Sequence, residues 1–273
     1  MSDNSGQAKQ DEWREQWTLF QDDERFLFEE WIAPRTLEDF RGKRVLECGC
    51  GGGQHTEYVA AVAEHITAVD LNAIEVARRR TARFNNIRFV EADIATLDLG
   101  EQFDVVFCIG VIHHTDDPDR TFEAIYRHCK PGGLVIVWTY SAEGNELVRY
   151  IVEPLRAVGL RHLSRGTLVR LSEIITASLY PIVYTIYLPQ LTSFLPYHEY
   201  FRNFRRMKFR RNVLNVFDKL NAPQTHFTTR QRCVRWFNPQ SFTEASISIR
   251  RYAGVSYALS GIKPPTTDKA PTS

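Results

Sequence analysis

The chain has 273 residues, 43% hydrophobic and 25% charged, with a formal net charge of +1. That length fits one large domain or a domain with a substantial insertion, and the small net charge gives the molecule as a whole no steering toward nucleic acid. The five cysteines, Cys48, Cys50, Cys108, Cys129 and Cys233, match neither a zinc pattern nor a redox CxxC pair, which points to reduced thiols in a cytoplasmic setting.

The N-terminus is polar and lacks an apolar core, so no signal peptide is expected and residues 1–9 read as disordered. A helix is predicted over 11–32, where Trp13, Trp17, Phe20, Phe26, Phe28 and Trp31 stand among acids. Its aromatic face either packs on the core or closes over a substrate.

Strands and helices then alternate. Strands are predicted at 43–49, 65–71, 87–93, 103–109 and 131–140, with helices over 54–64, 73–84 and 121–129. Such alternation means parallel βαβ units covered on both faces, and right-handed crossovers make a doubly wound sheet. The rhythm stops after Tyr140. A helix returns at 228–237, and strands at 241–249 and 254–262 are predicted to form an antiparallel hairpin turning through 250–253. The fold class is thus α/β, a mostly parallel Rossmann-like sheet with a C-terminal hairpin and a helical cap inserted after the fifth strand. Its parts are an N-terminal helical segment (1–42), a ligand-binding core (43–141), the cap (142–226), the completion of the sheet (227–262) and a Pro/Thr-rich disordered tail (263–273).

Between the first strand and its helix stand four glycines in five residues, Gly49, Gly51, Gly52 and Gly53. Glycine there lets the chain turn sharply and lets a ligand approach the backbone. A nicotinamide dinucleotide site wants a third glycine where this chain has Gln54, so a pyrophosphate fits poorly. Asp70 ends the second strand, 19 residues past Gly51. It can accept from two ribose hydroxyls, or cap the next helix. Leu71 can pack against a base. Asp93 can accept from an exocyclic amino group while the Ile94 N–H donates to a ring nitrogen; the alternative is a turn aspartate. Glu47 lies in an otherwise apolar strand, where a carboxylate needs a cation or donor. The ammonium of an amino-acid ligand would serve.

An adenine, a ribose and a charged amino acid without phosphates describe S-adenosyl-L-methionine. The segments VLECGCGGG, AVDLN, EADI, FDVVFCIGVIHHTDDP and KPGGLVIVW resemble the ordered motifs of the class I S-adenosylmethionine-dependent methyltransferases, above all the small-molecule branch that includes quinone-biosynthesis enzymes. The resemblance covers 43–140 and, more loosely, 227–262. It implies that Glu47, Gly49, Gly51, Asp70, Leu71, Asp93, Ile94 and Cys108 surround the cofactor. Many relatives have Asp in place of Glu47 and lack Gly52.

Methyl transfer is an in-line displacement in which the protein chiefly positions the acceptor and excludes water. A base is needed only for an acceptor proton of high pKa. His113 and His114, after the fourth strand, are the candidates, each with a structural alternative. Asp116, Asp117 and Pro118 read as the start of the next helix. The run HHTDD lacks the i, i+4 spacing of helical metal ligands, and no metal site is expected.

Residues 174–197 carry no charge, but Pro181, Pro189 and Pro196 interrupt them, against a membrane span. A basic aromatic run follows at 201–211, and 149–211 holds eleven basic against three acidic residues. The region reads as a cap over the cofactor, as a peripheral membrane contact through 174–211, or, least well, as a nucleic-acid surface. Tyr197, His198, Tyr200, Asp218, Lys219, Asn221 and His226 are candidate acceptor contacts. The expected function is methyl transfer to a small-molecule or lipid-like acceptor, with O-methylation favoured. The rival is a non-catalytic membrane-peripheral protein that keeps the cofactor fold.

Overall fold

The structure, a computed structural model, describes residues 16–20 and 24–266. The expectations for residues 1–15 and 267–273 lie outside the described residues.

Seven strands form one sheet in the order β3-β2-β1-β4-β5-β7-β6. Strands β1 (Arg44–Cys48), β2 (His65–Asp70), β3 (Ile87–Glu91), β4 (Phe103–Ile109) and β5 (Cys129–Tyr140) run parallel. Strand β7 (Ser256–Ile262) lies antiparallel to β5 and pairs antiparallel with β6 (Ser248–Tyr252). The chain order reverses between β1 and β4, which opens a crevice at the strand C-termini.

Alternation along β4 explains the two-sided core. Val105, Phe107 and Ile109 face one apolar cluster with helix α1 (Arg25–Ile32), Phe40 and Val59. Val106 and Cys108 face the other, with helix α4 (Pro118–His128) and helix α9 (Arg230–Trp236). Period two in a strand buried on both sides gives this division. Helices α2 (Gln54–Ala60) and α3 (Ile74–Arg80) follow β1 and β2 and are shorter than predicted. Helix α4 starts with Asp117 as its cap, whose carboxylate accepts from the Asp119 and Arg120 amides, and Pro118 in the first turn.

Two expectations need correction. The single helix over 11–32 is replaced, among the described residues, by a helical turn at 16–19 and by α1, with Phe20 outside both. Phe20 is instead buried against Phe217 of the cap, 5.1 Å between ring centres. The hairpin also falls later. Residues 241–247 are not a strand, because Phe242 is buried against Phe237 and Tyr126 and a short 3-10 turn follows at Glu244–Ser246. The hairpin turns at Ala253 and Gly254, both at positive φ, the backbone such tight turns require.

The cap leaves and rejoins the sheet at one place. Ala142 N–H donates to Thr228 O and Thr228 N–H to Tyr140 O, both at 2.9 Å. Between these points run helices α5 (Glu153–Val158), α6 (Arg165–Thr185), α7 (His198–Phe204) and α8 (Phe209–Asn221). Helices α6 and α8 share a core of their own around Leu168, Val213, Phe217 and Leu220.

Candidate active site

A cavity of about 620 Å³ opens at the C-terminal ends of β1, β2 and β4 and extends beneath the cap. One half is lined by Gly49, Gly51, Asp70, Leu71, Asp93 and Ile94, and the other by His114, Trp138, Tyr140, Tyr200, Asp218 and Lys219. Ile109, Gly110 and Val111, at the end of β4, line it as well.

The glycine turn is built by backbone shape. Gly49, Gly51 and Gly53 all have positive φ. A Cβ on Gly51 would stand 2.7 Å from Trp17 Cε2, and one on Gly49 would strike Val111. Trp17 therefore lies against the turn and forms part of the cavity wall. Asp70 braces this turn: Oδ2 accepts from the Gly51 amide at 2.9 Å, and Oδ1 from the Asn72 and Ala73 amides. Its carboxylate thus ties β1 to β2 at the rim. Leu71 beside it is 40% exposed, an apolar surface turned to the cavity. Asp93 is exposed, and its Oδ1 accepts from the Ala95 amide at 2.9 Å, fixing the turn that carries Ile94.

Glu47 stands behind this half. It is 1% exposed; Thr56 Oγ1 donates to its Oε2 at 2.5 Å, and its Oε1 has no partner among the described residues. Burial pushes its pKa up to about 8, against the opposing Thr56 bond. An ammonium placed at the unsatisfied oxygen would favour the ionised form and oppose this rise. Cys108 is fully buried in the α4-side core and does not line the cavity; burial drives its thiol up to about 12.

The structure separates the two histidines. His113 is fully buried, with its ring 4.4 Å from that of Tyr140 and neither nitrogen hydrogen-bonded among the described residues. Burial holds its pKa well below the ordinary value, so it stays neutral. His114 lines the cavity. Its Nδ1 lies 2.8 Å from Gln224 O. A carbonyl only accepts, so Nδ1 carries the proton and Nε2 is the basic nitrogen of the neutral ring. Burial lowers its pKa, and Asp218 partly opposes this.

The cap supplies the far wall. On α8, Arg211, Leu214, Asn215, Asp218 and Lys219 recur at helical spacing along the cavity. Val213, Val216, Phe217 and Leu220 turn to the cap core. Asp218 accepts from Tyr140 OH at 3.0 Å and from Gln16 Nε2 at 3.4 Å, which links the N-terminal segment, β5 and the cap. Tyr140 is thereby held protonated, its pKa raised well above the usual value by burial and by Asp218. Of the candidate acceptor contacts, Tyr200, Asp218 and Lys219 line the cavity; Tyr197, His198, Asn221 and His226 do not. Sequence reasoning missed Gln16, Trp138, Tyr140 and Arg211 as lining residues, while Trp31 belongs to the aromatic face for which closing over a substrate is one alternative. Only the spacing of 211, 214, 215, 218 and 219 offered a signal, and it needed the helix boundaries first.

Residues 46–137 match the methyltransferase domain family. These residues are a class I S-adenosylmethionine-dependent methyltransferase domain. The chain is 32% identical over 142 residues to the ubiquinone biosynthesis O-methyltransferase of Pseudomonas putida, covering 50% of this chain and 60% of that protein. It is 33% identical over 120 residues to an uncharacterised Synechococcus protein, covering 41% of this chain and 29% of that protein. The chain thus spans less than two thirds of these relatives. The likeness of fold extends beyond the matched segment. Magnesium protoporphyrin IX methyltransferase of Synechocystis aligns over 95% of both chains with a TM-score of 0.52 at 12% identity. The N-methyltransferase NodS of Bradyrhizobium japonicum, solved with S-adenosyl-L-homocysteine, aligns over 96% of this chain and 100% of its own with a TM-score of 0.50 at 16% identity.

Proposed function

We propose that the protein transfers a methyl group from S-adenosyl-L-methionine to a small-molecule acceptor, most readily at a hydroxyl oxygen. The observation that carries this reading is one cavity that runs from the glycine turn past His114 to the aromatic wall of the cap. When bound, the cofactor supplies a methyl carbon already activated by a sulfonium. Glu47, with its unsatisfied oxygen, would face the ligand's ammonium, and the positive-φ turn of Gly49 and Gly51 in the cavity wall would meet its chain. Asp70 and Leu71 would hold the ribose and one face of the base, and Asp93 and Ile94 the edge of the adenine. Cys108 backs this half from the core.

His114 is the base in this reading. Its lowered pKa keeps it neutral at physiological pH, and Nε2 is the nitrogen that takes the hydroxyl proton. Trp31, Trp138 and Tyr140 hold the acceptor and exclude water; Trp31 and Trp138 pack 4.7 Å apart between ring centres. His113 packs behind the wall. The O-methyltransferase relatives support oxygen as the acceptor atom. Titration calorimetry with S-adenosyl-L-homocysteine, followed by methyl transfer to a panel of phenols, tests the reading. Cofactor binding with no turnover on any hydroxyl acceptor would favour the non-catalytic rival.

A peripheral membrane contact belongs to the same proposal. Among the described residues no helix is long and apolar enough to cross a membrane. Yet Val158, Leu191 and Phe194 are more than four-fifths exposed, with Leu155 and Leu188 over half exposed. Such side chains beside a basic region suit an interfacial surface and a lipid-like acceptor. Co-sedimentation with anionic and neutral vesicles at graded salt checks it: binding to the anionic vesicles should weaken as salt rises.

A further inference from the structure

At the acceptor end of the cavity, the Lys219 ammonium rests against two tyrosine rings. The Lys219 ammonium lies 5.8 Å from the Tyr140 ring centre and 5.3 Å from that of Tyr200. Its hydrogen bonds go to Asn215 O at 3.1 Å and Tyr200 OH at 3.5 Å. Among the described residues it has no ion pair. The neighbouring carboxylate, Asp218, is turned to Tyr140 and Gln16 instead. Arg156 adds positive charge from behind, donating to the Lys219 carbonyl at 3.2 Å while paired with Glu153.

Two tyrosine faces fix where the ammonium sits and leave it without a carboxylate bonded to it among the described residues. A lysine placed so along a cavity is a partner for an anion, and the charge-assisted bond is stronger there than in open water. The flat surfaces of Trp138, Tyr140 and Tyr200 line the same end. We infer that the methyl acceptor is an aromatic hydroxy compound bearing an anionic oxyacid group, a carboxylate or a phosphate, that docks on Lys219. This rests on the methyltransferase reading above and adds the acceptor's charge to it. Lys219 acts as a specificity residue. It recognises the anion, while His114 receives the proton.

The test uses the full chain saturated with S-adenosyl-L-homocysteine and follows the fluorescence of three probes: a hydroxynaphthoate, its methyl ester and a naphthyl phosphate. The acid or the phosphate should bind about tenfold or more tighter than the ester, and the tighter of the two identifies the oxyacid. In Lys219→Met the preference should collapse toward equality, with S-adenosyl-L-homocysteine affinity unchanged. The acid–ester comparison on the wild type needs no variant, so a poorly folding Lys219→Met leaves the inference testable. An ester that binds as tightly as both anions overturns it, as does a preference that survives Lys219→Met or the failure of all three probes to bind. If S-adenosyl-L-homocysteine itself does not bind, the methyltransferase reading fails first.

Discussion

The two halves of the cavity are made by different means. The half proposed to hold the cofactor is built from backbone: positive-φ glycines, an Asp70 carboxylate gathering three amides, and an Asp93 turn, all at strand ends. The acceptor half is built from side chains on elements far apart in sequence: Gln16, His114, Tyr140 and the cavity face of α8. The first half depends on spacing along the chain, with Trp17 of the N-terminal segment against its turn. The second depends on how a cap happens to pack. Substitutions should therefore act on cofactor affinity in one half and on turnover or acceptor choice in the other.

The largest effect is expected at the junction. His114→Gln should lower kcat by roughly 10²–10⁴, the usual worth of a positioned base, with S-adenosyl-L-homocysteine affinity unchanged. Because burial lowers the His114 pKa, wild-type activity should fall with acid only below pH 6.5, and this limb should vanish in the variant. His113→Leu supplies the contrast: among the described residues its ring makes no hydrogen bond, so kcat should stay within about threefold. Equal losses at the two positions would erase the distinction between them.

Within the cofactor half, Gly51→Val is next. Its side chain would collide with Trp17 and strain a φ of +51°. S-adenosyl-L-homocysteine affinity should drop by about 100-fold, or ~2.7 kcal/mol, with the far-ultraviolet circular dichroism unchanged. Asp70→Ala should cost about 1.5–3 kcal/mol of the same affinity, partly through the loosened turn. A folded Asp70→Ala protein with wild-type affinity would remove Asp70 from the site.

Glu47 gives the clearest sign. Its folded pKa, about 8, lies above the ordinary 4.5. The stability tied to its neutral form is complete below pH 4.5 and is lost as pH rises through 8. Denaturant titrations of the ligand-free protein should show this loss between pH 5 and 8, and Glu47→Gln should flatten it. Binding a ligand ammonium would ionise Glu47, so calorimetry near pH 7 in buffers of different ionisation heat should register proton release by the wild type. The variant should show less.

The same contrast explains what could be read from the sequence. The parallel strands and the glycine turn were legible because alternating apolar runs and glycines carry local signals. The strand expected at 241–249 misled because Ser, Ile and Phe alternate there, yet Phe242 is drawn to the aromatic cluster of Phe237 and Tyr126. The helix over 11–32 gives way where Phe20 packs on the cap, a tertiary contact without local trace. Adjacent His113 and His114 could not be told apart until the turn after β4 sent one ring into the core and the other to the cavity. Lys219 was visible as a candidate, but not the two tyrosine faces, 79 positions upstream and 19 positions upstream, that hold it.

The central claim is that one cavity joins a cofactor half to an acceptor half across His114. The most direct measurement is single-turnover methyl transfer from S-adenosyl-L-methionine to a hydroxynaphthoate, comparing wild type with His114→Gln after each is shown by calorimetry to bind S-adenosyl-L-homocysteine. The account predicts equal cofactor binding and a methyl ether formed by the wild type at a rate the variant loses by roughly 10²-fold or more. Cofactor binding that is absent in the wild type, or methyl transfer at the same rate in both proteins, would contradict it.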